Sequence, residues 1–236
     1  MTEETDENES IYFGLTKPFP CSYLDNQQEQ LLTLTEYPLD YLIYERLLTL
    51  GFRRNGNAIY KPHCQFCSQC RPIRLPVQRF CHSKRQKRTV KKNINFIWKC
   101  SSTAKDEYFY LYERYINERH DDGPMFPATK EQYQHFLFCD WLQPQFIELY
   151  DEDILIGVAV SDVLNNSISA VYSFFSTSYD KHSLGSYLIL LQIELAKKLN
   201  KDYLYLGFQV DGNRKMSYKK NYRPFQILTE NGWKPE

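Results

Sequence analysis

The segment from residue 145 to residue 208 constrains the fold of this chain most. "QFIELYD", "ILIGVAVSDV" and "SISAVYSFFS" follow one another as short runs rich in β-branched and aromatic residues, each bounded by turn formers. Gly185 then introduces "SYLILLQIELAKKLN", where Leu188, Leu191, Leu195 and Leu199 recur at helical spacing, and "DYLYLGF" returns as a strand. Successive antiparallel strands, one long apolar helix and a returning strand define an α+β class with a mostly antiparallel sheet.

The chain has 236 residues, 42% apolar and 16% aromatic, enough to bury a core without staples. Lys plus Arg equal Asp plus Glu at 29 each, so a nucleic-acid partner has to be sought in local clusters. Residues 1–10, "MTEETDENES", carry five acids and no base and read as a disordered acidic tail, whereas residues 79–92 carry seven Lys or Arg and no acid. A boundary is expected between about 100 and 145 and is taken at its start, giving an N-terminal cysteine-rich domain, 11–100, and a second domain, 101–236. No charged-then-apolar leader is legible and no apolar run approaches the roughly 20 residues of a membrane span, so a soluble, cytoplasmic chain is expected.

In the N-terminal part, "PLDYLIYERLLTLGF" places Leu39, Leu42, Ile43, Leu47 and Leu50 at helical spacing before a stop at Gly51. Asn55-Gly56 marks a tight hairpin. The hairpin leads into "YKPHCQFCSQCRPIR", with two residues between each of Cys64, Cys67 and Cys70. Three thiols so spaced can curl onto one ion and need one further ligand; Cys21, in a proline-framed turn, is the first candidate and His63 the second. The spacing does not separate a structural zinc from an iron–sulfur cluster. Cys81, Cys100 and Cys139 read as small core residues, and with seven cysteines and no secretory signal a disulfide framework is not expected.

Ser83 opens a short basic helix carrying Lys84, Arg85, Lys87, Arg88, Lys91 and Lys92, a surface that can meet a polyanion backbone. A strand "INFIWKC" follows, then a helix opened by Thr103 with Phe109, Tyr112 and Ile116 on one face, ending near "RHDDGP". Thr129 and Gln132 are spaced as a capping pair ahead of another helix.

Taken in order, "PCSYL", "GFRRNGNAIYKPHCQFCSQCRPIRLPV", "SKRQKRTVKKN", "YERYINERHDDGPM", "AVYSFFS", "SLGSYLILLQIELAKKL" and "YLYLGFQVDGNRKMSYKKNYRP" resemble the bacterial branch of the arginyltransferase family. The resemblance runs from about residue 20 to residue 225. It implies a C-terminal GNAT-like acyltransferase domain beside a cysteine-rich metal-binding part. It also implies an aminoacyltransferase that moves leucine from Leu-tRNA to the α-amine of proteins beginning with Asp or Glu, marking them for degradation by the N-degron pathway. Eukaryotic relatives carry a Cys-Gly-Tyr-Cys element where this chain has Cys21-Ser22-Tyr23-Leu24, so one thiol is missing. The coenzyme A signature, Gln or Arg, two residues, Gly, one residue, then Gly or Ala, is unmet by "DKHSLGSY", and no coenzyme A is expected.

The donor so implied is an activated ester, and an acceptor α-amine of pKa about 7.7 to 8.0 is partly nucleophilic near neutral pH, so positioning is most of the task. His120, Asp121 and Asp122 are the base candidates. Backbone amides around Ser183, Gly185 and Ser186 suit an oxyanion. Tyr218 and Lys219 are expected to orient the tRNA terminus, with Lys215 and Arg223 as anion binders and Arg71 and Arg74 as alternative partners for the acceptor's carboxylate. Within the same family, transfer of arginine is the alternative; an apolar pocket favours leucine, whereas an arginyl side chain needs a buried acid. A metal-stabilised RNA-binding module without catalysis is the reading from another class. The sequence leaves the oligomeric state open.

Overall fold

A computed structural model describes residues 11–236, so the expected acidic tail lies outside the described residues. The chain opens with β1 (Tyr12–Leu15), β2 (Phe19–Pro20), β3 (Gln28–Glu29) and β4 (Leu31–Glu36), followed by α1 (Tyr41–Thr49), β5 (Arg53–Asn55), β6 (Ala58–Pro62) and β7 (Arg71–Pro76). The basic helix α2 (Lys84–Lys92), β8 (Ile97–Ser101), α3 (Asp106–Arg119) and α4 (Lys130–Leu137) precede β9 (Gln145–Asp151), β10 (Ile154–Val163) and β11 (Ser167–Phe175). Helix α5 (Leu184–Lys198), β12 (Tyr203–Gln209), a single turn α6 (Arg214–Ser217), β13 (Gln226–Thr229) and β14 (Gly232–Pro235) complete the chain.

Local chemistry sets the ends of these elements. The Asp40 carboxylate caps α1 by accepting from the Ile43 amide at 2.8 Å. Ser83 and Gln86 form a reciprocal capping box on α2, and Thr129 accepts from the Gln132 amide on α4. Thr103 does not open α3: it is held in a turn by its backbone N–H, which donates to Ser101 Oγ, and the helix starts at Asp106. On α1 the buried face is Tyr44, Leu47 and Leu48, while Leu42 and Leu50 are 43% and 57% exposed. The stripe read from the leucine spacing is thus displaced: the hydroxyl of Tyr44, which finds buried partners Asp162 and Ser169 on the sheet, turns this face inward.

Eight strands form the main sheet in the order β14-β13-β7-β12-β11-β10-β9-β8, and β11–β12 is its parallel pair. The β9–β10–β11 meander, the α5 crossover and the return of β12 follow the pattern read from sequence. β7 lies before residue 100 and β8 runs across it, yet both belong to this sheet, which therefore draws strands from both sides of that position. "RPIRLP" hid β7 because its prolines and arginines break the alternation that announces a strand. A second sheet, β1-β4-β6-β5, and the β2–β3 pair make up the N-terminal part.

Helix α5 covers one face of the main sheet, packing Leu184, Leu188, Ile193 and Ala196 with Ile73, Leu75, Ile147, Leu149 and Leu204. Its stripe ends at Leu195, since Leu199 is 45% exposed. Helices α3 and α4 cover the other face with Tyr108, Tyr112, Tyr115, Ile116, Tyr133 and Leu137 against Phe146, Val158, Val160 and Phe174. Both faces being covered, the strands read as near-continuous apolar runs.

Candidate active site

The site grows from a place where the main sheet comes apart. Strands β11 and β12 pair only between Ser167–Ser169 and Tyr203–Tyr205; beyond that β11 pairs with β10 alone and β12 with β7 alone. A register irregularity against β7 between Tyr205 and Gly207, with Gly207 at φ +83°, turns β12 away. The β5–β6 hairpin of the second sheet sends Arg53 to this place, against Ser169 and Ala170 on β11 and Gly207 on β12. Its turn is fixed by Gly56 at φ +56°, whose amide donates to Phe136 O at 2.9 Å.

Two successive arginines on β5 then take different roles. The Arg54 guanidinium donates to both carboxylate oxygens of Asp162 on β10, at 2.7 and 2.8 Å, with both side chains fully buried. Burial opposes its charge, but Asp162 prevails and raises Arg54 above the ordinary arginine value. Tyr44 also donates to Asp162, at 3.2 Å, which ties α1 into the same group. Arg53 points into the opening: Nη1 donates to Ser169 Oγ at 3.0 Å and Nη2 to the Ala170 carbonyl, while a Cβ on Gly207 would stand 3.6 Å from its Nε.

Lys219 enters the same opening from the segment after α6. It is 5% exposed, and its ammonium donates to the Phe208 carbonyl and lies 3.2 Å from Met216 Sδ. Burial, then the nearby Arg53 charge, pull its pKa down to about 7, with Cys70 opposing. Tyr218 remains 40% exposed; its phenol is pushed up to about 12 by burial and Tyr115, against the pull of Arg53.

Beside Tyr218 lies an aromatic group. Tyr172 on β11 has Phe136 at 5.2 Å, Tyr112 at 6.2 Å and Tyr115 at 6.4 Å between ring centroids, and Tyr115 packs on Phe175 at 4.8 Å. Burial, then the Tyr115, Tyr112 and Tyr218 phenols, raise the Tyr172 pKa. The group contains no carboxylate. Of the buried acids, Glu148 and Asp162 are committed to Lys105 and Arg54, and Glu29 accepts from the Ser22 amide beside the cysteine loop.

The residues singled out from sequence fall into several places. His120 caps the C-terminus of α3, its Nε2 3.1 Å from Tyr115 Oη; burial, Lys215 and Arg119 lower its pKa, with Asp122 opposing. Asp121 is exposed, and Asp122 is bound by Lys215 at 2.8 Å on the surface, so neither Asp122 nor Lys215 is free. Gly185 sits in the first turn of α5, where a Cβ would come within 2.9 Å of the Phe175 ring; its smallness lets the helix start against that ring. Arg71 is engaged by Asp211 and Glu236 on the surface. Arg74 lies outside the opening, its guanidinium 3.7 Å from the Tyr203 ring and 4.2 Å from that of Trp233, donating to Gln226 and Tyr205. Arg223 is exposed and stacks over Phe225 at 5.2 Å. Lys84, Arg85, Lys87, Arg88, Lys91 and Lys92 are all exposed on α2, and Gln86 bonds the Asn221 carbonyl, which sets this basic helix beside the Tyr218–Asn221 segment.

Cys21, Cys64, Cys67 and Cys70 share one neighbourhood with Glu29, as free thiols. Burial and then these neighbours push Cys70 up to about 12. Among the described residues no group of three or more His, Cys, Asp or Glu side chains is arranged to hold a metal ion. The donors therefore match a structural zinc or iron–sulfur site in kind but not in arrangement. His63 is exposed, and Cys81 and Cys100 are exposed rather than core, as edge and loop positions leave them uncovered. Arg53, Tyr115 and Tyr172 were not singled out from sequence. Only the "RR" ahead of a hairpin hinted at Arg53, and nothing in its period tells which arginine is buried.

Residues 19–88 match the model of the arginine-tRNA-protein transferase N terminus and residues 107–229 that of its C terminus. The chain belongs to the arginine-tRNA-protein transferase family. Within it, the chain is 57% identical over 226 residues to the aspartate/glutamate leucyltransferase of Shewanella sp. strain MR-7, covering 96% of this chain and 95% of that protein. The proteins of the same name from Pseudoalteromonas atlantica and Aeromonas salmonicida are 48% and 46% identical, over 94% and 99% of this chain and 96% and 97% of theirs.

Proposed function

We propose that this enzyme transfers leucine from Leu-tRNA to the α-amine of proteins whose first residue is Asp or Glu. The observation that carries the reading is 57% identity over 96% of the chain to a protein named for that activity. The aromatic group agrees with it: rings without a carboxylate suit a leucyl side chain, whereas an arginyl side chain would be desolvated with no acid to meet it.

In the reaction, the acceptor nitrogen attacks the ester carbonyl of the aminoacyl-tRNA and the bond to the tRNA ribose oxygen breaks. The proton lost from nitrogen ends on that oxygen. No covalent enzyme intermediate is needed, because the ester is already activated. His120 is the base candidate that the surroundings favour. Its lowered pKa keeps it neutral at pH 7, and the Tyr115 hydroxyl links it to the aromatic group. Tyr218, exposed and next in the chain to the buried Lys219, is the residue assigned to the tRNA terminus. The exposed cations of α2 meet its phosphates.

The splayed parallel pair flanked by a meander and a crossover helix is read as a GNAT-like acyltransferase sheet. The N-terminal part is read as its metal-stabilised companion. A metal on Cys21, Cys64, Cys67 and Cys70 would require the thiols to draw together, and it enters no step of the reaction. No described helix is long and apolar enough to cross a membrane. We place the reaction in the cytoplasm, where aminoacyl-tRNA is made, with N-terminal leucine marking the product for degradation.

Equal amounts of Leu-tRNA and Arg-tRNA, offered together with a peptide beginning with Asp, test the reading. Leucine alone on the product supports it, and arginine on the product refutes the leucine assignment.

A further inference from the structure

Four Arg and Lys side chains are buried among the described residues: Arg53, Arg54, Arg74 and Lys219. Arg54 has Asp162, and Arg74 has two aromatic faces and the Gln226 amide oxygen. Among the described residues Arg53 and Lys219 have neutral oxygen and sulfur acceptors only, and neither forms an ion pair there. Both are held on adjacent residues of β12, Arg53 against Gly207 and Lys219 on the Phe208 carbonyl, where β12 parts from β11.

Two like charges buried side by side are costly unless an anion joins them. No neighbour supplies one. Glu29 accepts from the Ser22 amide and acts on the cysteines and on Tyr60 without pairing with either cation.

We infer that Arg53 and Lys219 together form the subsite for the carboxylate of the acceptor's first side chain and set the enzyme's preference for acidic N-termini. The inference rests on the proposed leucyl transfer. An acidic acceptor brings one compact anionic group to the reaction, which fits a buried pair, whereas tRNA phosphates are met by the exposed cations of α2. Tyr218 directly precedes Lys219 in the chain, and its phenol is within electrostatic reach of both Arg53 and Tyr115. Binding of the carboxylate also restores the ammonium charge that burial and Arg53 disfavour on Lys219.

The test compares matched peptides beginning with Asp or Asn. Wild-type enzyme, Lys219→Met and Arg53→Gln are each assayed for kcat/KM in leucyl transfer and for peptide affinity by fluorescence anisotropy without tRNA. A charged hydrogen-bonded contact sets the expectation that the Asp-over-Asn ratio falls about tenfold to a hundredfold in each variant. A merely structural loss lowers both peptides together and leaves the ratio unchanged, which overturns the proposal. If Arg53→Gln does not fold, Lys219→Met decides alone. Should wild-type enzyme transfer no leucine, the functional reading fails, and the binding ratio still decides the subsite.

Discussion

Replacing Lys219 by Met should stabilise the protein, and by an amount that depends on pH in a defined way. Burial and the Arg53 charge hold the folded-state pKa at about 7 against an ordinary value of 10.5. Between those values the unfolded chain binds a proton that the folded protein does not, so wild-type stability from this group rises with pH across that window. Below the folded pKa both states bind the proton, and the folded protein then carries the whole cost, about 5 kcal/mol at 1.36 kcal/mol per unit. Above the unfolded value the cost is gone. Methionine, of similar length and uncharged, has no such term. The stability advantage of Lys219→Met over wild type should therefore shrink by about 2.5 kcal/mol between pH 6 and pH 9. Urea unfolding followed by tryptophan fluorescence at several pH values measures it, and groups common to both proteins cancel in the difference. A difference that stays flat across the range, or grows with pH, refutes the reasoning.

Other perturbations probe other parts of the molecule. Arg54→Met strands a buried carboxylate at Asp162 and should cost about 3–5 kcal/mol in urea unfolding, most of it recovered in the Arg54→Met/Asp162→Asn double variant; equal losses in both would show that the ion pair is not the cause. Reversing the charges of Lys87 and Arg88 should lower the slope of log affinity for Leu-tRNA against log salt concentration by roughly one to two, and an unchanged slope removes α2 from the interface. Cys67→Ser should lower bound metal, read by elemental analysis, together with thermal stability; unchanged stoichiometry defeats the four-cysteine assignment.

Order and type of the main elements were legible from residue 145 on because β-branched runs, turn formers and a leucine stripe agree there. The edge of the same sheet was not: β7 carries Pro72 and Pro76, and β13 and β14 are four residues each. The site divides in the same manner. A charged residue in a hairpin announces itself, but whether it meets solvent, a carboxylate or neutral oxygens is decided by strands far away in sequence. Arg53 finds Ser169 and Ala170, more than 100 residues on, and Arg74 finds two aromatic rings where a free cation was expected. His120 was found because helix ends beside Gly-Pro turns are surface landmarks. Tyr172 hid inside a strand, where an aromatic residue reads as core.

The central claim is tested most directly by incubating the purified protein with radiolabelled Leu-tRNA and matched peptides beginning with Asp, Glu, Lys or Ala, then counting label in each. Leucine on the Asp and Glu peptides and background on the others is the expected result. Label spread evenly over the four, or absent from all while the tRNA is still bound, would contradict the account.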